Sequence, residues 1–253
     1  MAYKKLYVNG RDLFTYYGVY ISGQGVFGAP ERDYTFYDVK GRDGDLVSLK
    51  TKLKNMTVSY KCGIVNNFDT NLAGLRAFLL TRIGYVKIND DYHPNEYRMG
   101  VYTGPLEPSV SDTNDSGEFT LTFNCKPQRW LDSGDTFNVF TSFPATITNP
   151  TLFDSKPFIR VTGSGTIRFG VVSGREWYLS IATNSLTYVD IDCETMEAYD
   201  NAGNNKLSLI TCSDDTVSNV ADFPLLTANK TTNISVFTGS FSSVRIKPRW
   251  WSV

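Results

Sequence analysis

The chain has 253 residues, of which 41% are hydrophobic and 20% are charged, and its formal net charge is −1. Such a composition is typical of a folded protein with a sizeable core, and the length predicts one or two domains. The near balance of 25 basic and 26 acidic residues argues against a protein whose task is to bind nucleic acid or an anionic membrane.

Two hairpins are predicted near the start of the chain. Leu6–Val8 and Asp12–Phe14 flank Asn9-Gly10, a pair that tolerates the positive φ angles of a type I′ turn. Thr35–Lys40 and Leu46–Lys50 flank a Gly-Arg-Asp-Gly turn, in which the glycines allow a tight bend and the charged residues either hold the turn or contact a neighbouring subunit. We count the whole turn as a candidate interface: Gly41, Arg42, Asp43 and Gly44.

Three lysines lie on one side of the extended segment that follows this turn. Lys50, Lys52 and Lys54 alternate with Leu49 and Leu53. The row either protects an exposed strand edge from aggregation or faces DNA in a channel. We favour the protective role, because no aromatic residues alternate with the lysines to stack on bases. In both alternatives the three lysines are candidate interface residues.

One amphipathic helix is predicted at about residues 70–82. Asp69 or Thr70 would cap its first turn, because a side-chain oxygen can accept a hydrogen bond from a free backbone N–H there, and Gly84 would end it. Apolar residues at helical spacing form one stripe, which we expect to pack on a sheet. The stripe contains Leu72, Leu75 and Leu79.

The sequence after Trp130 predicts many short strands and no helix. Turns such as Gly163–Gly165 and Asp200–Gly203 separate the strands, and this pattern is typical of a β-sandwich. We place the boundary near Asp132, which gives domains 1–132 and 133–253. The predicted fold class is therefore mainly β.

Two adjacent tryptophans, Trp250 and Trp251, lie near the end of the sequence. Adjacent residues on a strand point to opposite faces, so we expect only one of them to enter the core of its own domain. The other would pack on a neighbouring domain or subunit, and tryptophan is a favoured anchor of such interfaces. Both are therefore candidate interface residues.

No residue pattern supports catalysis, a metal site or a cofactor site. His93 is the only histidine, it lies in a turn-rich polar loop, and we expect it to be solvated. No nucleophile elbow or phosphate-binding loop is present. Asp190, Asp192 and Glu194 alternate along a strand and could bind a cation or sugar hydroxyls, but a solvated strand face is the favoured interpretation. The four cysteines are far apart in the sequence and are expected to be buried free thiols: Cys62, Cys125, Cys193 and Cys212.

Membrane insertion and secretion are not predicted either. No apolar run approaches the roughly 20 residues that span a bilayer, and the first residues lack the apolar region of a signal peptide. We therefore expect synthesis in a cytoplasm and no membrane partner.

Four sequence segments recur, in the same order, in one known family. They are Asp38–Leu46, Cys125–Trp130, Asn149–Ile159 and Ile246–Trp250, and together they span nearly the whole chain. On these segments the chain resembles the distal tail proteins (Dit) of siphophages that infect Gram-positive bacteria. The resemblance is closest to the Dit proteins of lactococcal phages.

The resemblance implies a structural hub in the tail tip or baseplate of the virion. The first domain would be a β-barrel-like domain with one helix that forms a homohexameric ring, and the second would be a galectin-like β-sandwich. The implied partners are the major tail tube protein, the tail-associated hub protein and the upper baseplate protein, while DNA passes through the central channel without specific binding. No enzymatic activity and no cofactor are implied.

An alternative function is a carbohydrate-binding module that contacts the host cell wall. It predicts an aromatic side chain in the second domain that stacks on a sugar, and Trp177 is the best candidate. A wall hydrolase that uses Asp190 or Glu194 is a third hypothesis, with less support.

Overall fold

The computed structural model describes residues 3–113, 115–171, 175–181, 188–214 and 223–253, with the side chains of 49–51 and 211–214 outside the description. The chain divides into two compact units, residues 1–129 with 253, and residues 130–252. Whether 1–132 and 133–253 are separately folding domains stays a prediction. No helix among the described residues is long and apolar enough to span a membrane.

The first unit consists of strands and two helices. The helices are α1 (Leu13–Tyr17) and α2 (Phe68–Leu80). The strands up to Leu131 are β1 (Leu6–Val8), β2 (Arg11–Asp12), β3 (Val19–Ile21), β4 (Arg32–Tyr37), β5 (Leu46–Leu53), β6 (Met56–Val65), β7 (Val86–Asp90), β8 (Glu96–Tyr102), β9 (Ser109–Val110) and β10 (Ser116–Leu131).

The main sheet of the first unit curls into a barrel-like form. Its strand order is β2-β1-β7-β8-β10-β6-β3, with β9 paired to β10. The sheet is brought towards closure where Ile21 donates a backbone hydrogen bond of 2.8 Å to the carbonyl oxygen of Lys4, at an isolated bridge. Helix α2 buries one apolar stripe in the core of this unit, with Phe68, Leu72, Leu75, Phe78 and Leu79.

The first predicted hairpin is present only in part. Asn9 and Gly10 have φ angles of 51° and 74°, as a type I′ turn requires. The strand predicted at Asp12–Phe14 is wrong beyond its first residue, because α1 begins at Leu13. The Asp12 carboxylate caps this helix by accepting hydrogen bonds of 2.9 and 3.3 Å from the N–H groups of Phe14 and Thr15.

Helix α2 begins before its predicted start, and neither predicted residue caps it. Its N-cap is Asn67, which has a φ of 50° and makes no side-chain cap hydrogen bond. Asp69 lies in the first turn instead, where its negative charge interacts favourably with the positive end of the helix dipole and stabilises the helix. At the other end the helix stops at Leu80, before the predicted Gly84, and the hydroxyl of its C-cap residue Thr81 donates a hydrogen bond of 2.8 Å to the Ala77 carbonyl oxygen.

The second unit contains the remaining strands and two short 3₁₀ helices at Asp132–Asp135 and Leu207–Leu209. The strands are β11 (Asn138–Phe140), β12 (Ala145–Thr148), β13 (Phe158–Val171), β14 (Glu176–Ile181), β15 (Val189–Asp192), β16 (Glu197–Asp200), β17 (Ile210–Asp214), β18 (Thr231–Lys247) and β19 (Trp251–Ser252).

Two long strands, β13 and β18, pair with each other along their length. Their two halves carry the other strands of the sandwich. The first part of β13 also pairs with β15, and its last part pairs with β14. The pairing shifts register between Thr162 and Gly163 and between Thr166 and Ile167. A Cβ atom on Gly165 would lie 2.1 Å from the Thr238 carbonyl oxygen, so only glycine fits this bend. The turn predicted at Gly163–Gly165 is therefore wrong, since it is a bend within one strand.

The predicted fold class is confirmed. The protein is mainly β, with a β-barrel-like unit that carries the helix α2, followed by a β-sandwich. Each unit has its own hydrophobic core, one around α2 and one around Trp177 and Phe169.

Candidate interaction surface

The hairpin β4–β5 stands apart from the main sheet of the first unit. Its two strands pair with each other and form a separate two-stranded sheet. An isolated two-stranded hairpin has marginal stability in water, and stable sheets usually bury at least one face. We call residues 32–53 the arm.

Both faces of the arm expose apolar side chains. Phe36 pairs with Val47, and Tyr37 pairs with Leu46, so the two pairs lie on opposite faces of the hairpin. The exposed fractions are 59% for Phe36, 53% for Tyr37, 51% for Leu46 and 43% for Val47. Single exposed apolar residues are common on protein surfaces, whereas a group of adjacent ones often marks an interaction site.

The tip of the arm is held by its backbone. Gly41 and Gly44 have φ angles of 83° and 79°, a region that side chains with a Cβ atom disfavour. The Arg42 N–H donates a hydrogen bond of 3.1 Å to the Val39 carbonyl oxygen. The side chains of Arg42 and Asp43 are exposed, and no hydrogen bond joins them to another described residue. Their predicted role at an interface stays a prediction.

Lysines at the base of the arm form weak cross-strand ion pairs. The Lys52 ammonium lies 3.8 Å from an Asp33 carboxylate oxygen, and the Lys54 ammonium lies 3.8 Å from a Glu31 carboxylate oxygen. Exposed pairs of this kind contribute little to stability. Both the protective role of the lysine row and the DNA-facing alternative stay predictions, and the side chain of Lys50 lies outside the described residues.

The segment leading into the arm is anchored on the barrel. The Arg129 guanidinium donates a hydrogen bond of 3.1 Å to the Val26 carbonyl oxygen. The Tyr92 hydroxyl donates one of 2.8 Å to the Gly23 carbonyl oxygen. The ring of Phe27 meets the ring of His93 edge-on, with 5.0 Å between the ring centroids. The root of the arm therefore has defined contacts, while its outer part is exposed.

The side chain of His93 is mostly shielded from solvent in a polar cluster, so the expectation of a solvated histidine was wrong. Its side chain is only 12% exposed, and its Nδ1 lies 3.0 Å from an Asp90 carboxylate oxygen. The other carboxylate oxygen of Asp90 accepts a hydrogen bond of 2.8 Å from the Tyr60 hydroxyl. Burial and the nearby Asp90 carboxylate raise the pKa of Tyr60 well above its usual value, so Tyr60 remains a hydrogen-bond donor.

A small cavity lies inside this cluster. Its volume is about 10 Å³, which is the size needed for one water molecule. Two of the residues that line it, His93 and Arg98, have buried side-chain nitrogens (Nε2 and Nη2) without a hydrogen-bond partner in the described structure. A water molecule there would give such a nitrogen a hydrogen-bond partner. The cluster supports the root of the arm through the contact of His93 with Phe27.

The two C-terminal tryptophans have different environments. Trp250 is 6% exposed and belongs to the core of the second unit. Trp251 stacks on Phe153 with 4.3 Å between ring centroids, and its Nε1–H donates a hydrogen bond of 2.9 Å to the Asp154 carbonyl oxygen. Trp251 is therefore the one with accessible surface, and its role at an interface stays a prediction.

Trp177 is not available to stack on a sugar. It is 1% exposed, and it lies in the core of the second unit. The prediction of Trp177 as a sugar-binding aromatic was therefore wrong, and the carbohydrate-binding alternative loses its candidate residue.

The acidic strand of the second unit is paired with arginines. Arg160 donates two hydrogen bonds, of 2.6 and 2.7 Å, to the carboxylate of Asp190. Arg249 donates two more, of 2.6 and 2.7 Å, to Asp192. The Asp190 side chain is 6% exposed, so the expected solvated face was wrong at this position. Among the described residues, no three His, Cys, Asp or Glu side chains are grouped as a metal site would require.

Comparison with known proteins identifies the fold as one found in the adsorption apparatus of bacteriophages. One crystal structure that shares it end to end is that of SPP1 Dit, described as a paradigm of the hub adsorption apparatus in phages that infect Gram-positive bacteria. The TM-score is 0.73 and the sequence identity is 14%, with 100% of both chains covered. At this identity the likeness establishes the fold alone.

Other comparisons add little to this result. The baseplate of phage p2 in its activated conformation matches with a TM-score of 0.48 and 10% identity over 96% of this chain and 97% of that chain, which is too weak to support an argument. No protein-family model and no curated protein matches the sequence.

Proposed function

We propose that the protein is a structural hub of a siphophage tail tip or baseplate, built as a hexameric ring between the tail tube and the tail-associated hub protein. The arm is the main support for this proposal, because it carries exposed apolar side chains on both faces and, within the described residues, pairs with no other strand. The fold shared with SPP1 Dit along the whole chain is the second support.

A ring explains why such an arm would be present on each copy. In a head-to-tail assembly, each chain uses one surface to bind the next copy and a different surface to receive the previous one. When rotation closes the ring, every arm is covered and no apolar surface remains open. The same contact repeated six times would bury the exposed rings of Phe36 and Tyr37.

The ring would present equivalent sites to its partners. The major tail tube protein would bind one side, the tail-associated hub protein the other, and the upper baseplate protein the periphery, while DNA passes through the centre without specific binding. Six copies of one weak site act together when the partner is also multivalent. The protein would be a component of the virion, and we assign it no enzymatic role, since His93 and Asp190 are bound in structural pairs.

The mass of the purified protein in solution tests this proposal. Six chains of 28.4 kDa should elute as one species of about 170 kDa by size exclusion with light scattering, and negative-stain images should show rings. Phe36→Asp should give monomers, because a charge in the contact would be desolvated. Phe237→Asp is the matched control, since Phe237 is 64% exposed in the second unit and lies outside the arm.

If the wild-type protein stays monomeric at all concentrations, it should be mixed with the tube and hub proteins. Assembly in that mixture would keep the proposal and make the ring dependent on its partners. Monomers in the mixture as well would refute the ring.

A further inference from the structure

Two arginines stack on one buried aromatic ring where the two helices of the first unit meet. The guanidinium carbon of Arg11 lies 4.6 Å from the centroid of the Phe78 ring, and that of Arg82 lies 4.7 Å from the same centroid. Arg11 belongs to β2, Phe78 belongs to α2, and Arg82 lies just beyond the end of α2. Because both guanidinium groups contact one ring, the fold holds two positive charges close together.

The chain supplies no negative charge to this pair. Among the described residues, no carboxylate forms an ion pair with either arginine. Asp12 accepts a hydrogen bond of 2.6 Å from the Lys5 ammonium and caps α1. Asp69 lies about two and a half helical turns before Phe78, which places it on the opposite side of α2. The two arginines therefore repel each other and have no carboxylate partner in the described part of the chain.

The polar groups beside the ring are hydrogen-bond donors. Nη1 of Arg11 donates a hydrogen bond of 2.7 Å to the hydroxyl oxygen of Tyr17, and no described residue accepts the hydroxyl proton of Tyr17. A guanidinium presents N–H donors in a planar fork and has no acceptor, whereas an ionised carboxylate has acceptors only. The arginines and the tyrosine therefore match a carboxylate in charge and in hydrogen bonding.

Exposed apolar side chains flank the two arginines. The ring of Tyr16 is 61% exposed, and its centroid lies 4.8 Å from the Arg11 guanidinium carbon. Ile83 follows Arg82 in the chain and is 97% exposed. We call Arg11, Tyr16, Arg82 and Ile83 the arginine site.

A protein segment suits the arginine site better than a nucleic acid does. Proteins that bind nucleic acids neutralise many phosphates with clustered basic residues, whereas this site has two arginines and the chain has a net charge of −1. A phosphate backbone also offers no apolar group to Ile83. A protein segment can supply carboxylates for the arginines and apolar side chains for Tyr16 and Ile83.

We propose that the arginine site binds an acidic segment of a partner protein, in which carboxylates alternate with apolar side chains. The carboxylates of this segment would pair with the two guanidinium groups and remove the repulsion between them. None of the four residues of the site belongs to the arm, so this binding does not depend on the ring.

Fluorescence anisotropy with two labelled peptides tests this binding. The first peptide alternates glutamate with leucine, and its control alternates glutamine with leucine. The wild-type protein should bind the glutamate peptide at least about fivefold more tightly than the glutamine peptide. The affinity for the glutamate peptide should fall when the NaCl concentration is raised from about 50 mM to about 300 mM, because salt screens exposed charges.

Two charge-removing variants locate the binding on the protein. Arg11→Gln and Arg82→Gln each remove one positive charge and keep a long side chain next to Phe78. Each should weaken binding of the glutamate peptide about fivefold, which is the upper range for one exposed ion pair. Arg245→Gln is the matched control, since Arg245 is exposed in the second unit and its replacement changes the net charge equally. It should bind the peptide like the wild type.

The outcomes separate this inference from the proposed ring. Equal binding of the two peptides, or wild-type affinity in both Arg11→Gln and Arg82→Gln, would overturn the acidic partner. Tighter binding of a short DNA duplex than of the glutamate peptide, weakened in the same two variants, would assign the site to nucleic acid and overturn it too. Loss of assembly in both variants would place the arginines between copies of the chain, with the same consequence. A wild-type protein that never assembles but binds the glutamate peptide would refute the ring and support the acidic partner.

Discussion

Arg129 and Val26 join the root of the arm to the long strand β10, through a hydrogen bond of 3.1 Å from the guanidinium to a backbone carbonyl. The same guanidinium lies 3.4 Å from the Glu96 carboxylate. One side chain therefore connects the barrel to the segment that carries the arm. Because the arm has no other strand partner in the described part of the chain, this connection restrains where the arm begins.

Arg129→Ala should release the root of the arm without unfolding the barrel. A hydrogen bond from a charged donor contributes about 1.5–3 kcal/mol, so amide hydrogens in residues 23–31 should exchange at least about tenfold faster. Hydrogen exchange followed by mass spectrometry measures this directly. Glu96→Gln is the control, since it removes the ion pair and keeps the bond to Val26. Equal exchange in Arg129→Ala and wild type would contradict the anchoring role.

Gly44→Val should disturb the arm and leave both cores intact. The φ of 79° at Gly44 is unfavourable for a β-branched residue by about 1–2 kcal/mol or more. We expect lower protection of the arm amides and weaker ring assembly, with an unchanged thermal midpoint of the two units. Ser48→Val introduces the same side chain at a regular strand position of the arm and should have little effect. A similar loss of protection in both variants would point to the valine itself and not to the turn.

The buried thiol of Cys62 should make the folded protein less stable at alkaline pH. The residue is completely buried, and burial raises the pKa of its thiol from the ordinary value of 9.0 to about 12. Between these values the unfolded chain releases the thiol proton and the folded chain retains it, so the free energy of unfolding falls as pH rises from 9.0 to about 12. Below pH 9.0 the thiol has no effect, because both states are protonated.

Urea unfolding at pH 8 and pH 10.5 would measure this effect. The Cys62→Ala variant should lose less stability than the wild type between these two values, since it has no thiol to titrate. The comparison within each protein cancels the cost of the cavity that alanine leaves at pH 8. Equal pH dependence in the two proteins would exclude a contribution from Cys62.

In the second unit, truncation to alanine should cost much more stability at Trp177 than at Phe237. Trp177 is 1% exposed, so Trp177→Ala should cost about 3–5 kcal/mol of stability through lost burial and a cavity. Phe237 is 64% exposed, and Phe237→Ala should change the free energy of unfolding by only about 0.5 kcal/mol. Urea denaturation of both variants measures the difference. A small loss in Trp177→Ala would be inconsistent with its place in the core.

Local sequence patterns predicted the elements whose cause is local. The arm follows from two glycines between two strand-like runs, and the stripe of α2 follows from leucines at helical spacing. Helix α1 and the inward orientation of Trp177 also have local sequence patterns, although neither was predicted. Asp12, followed by Gly18 six residues later, marks a short capped helix. The alternation of Trp177, Leu179 and Ile181 with polar residues marks Trp177 as an inward-facing residue.

Features made by distant residues were beyond the reach of the sequence patterns. The bend at Gly165 depends on Thr238 of strand β18, more than 70 residues away, whose carbonyl oxygen lies close to the glycine. Asp190 and Arg160 lie on the paired strands β15 and β13, which have β14 between them in the sequence. The local sequence of neither strand indicates which residue it will contact. The burial of His93 depends on Asp90 and on Phe27 from the root of the arm. Such contacts are defined by the fold as a whole.

The long strands β13 and β18 also determine how the second unit responds to force. Each layer of the sandwich is built on a different part of the same two strands, so neither layer can detach while the other stays intact. Because the two strands are antiparallel and paired along most of their length, a pull on opposite ends loads many backbone hydrogen bonds at once. We therefore expect the unit to resist tension as a single mechanical element and to yield in one step.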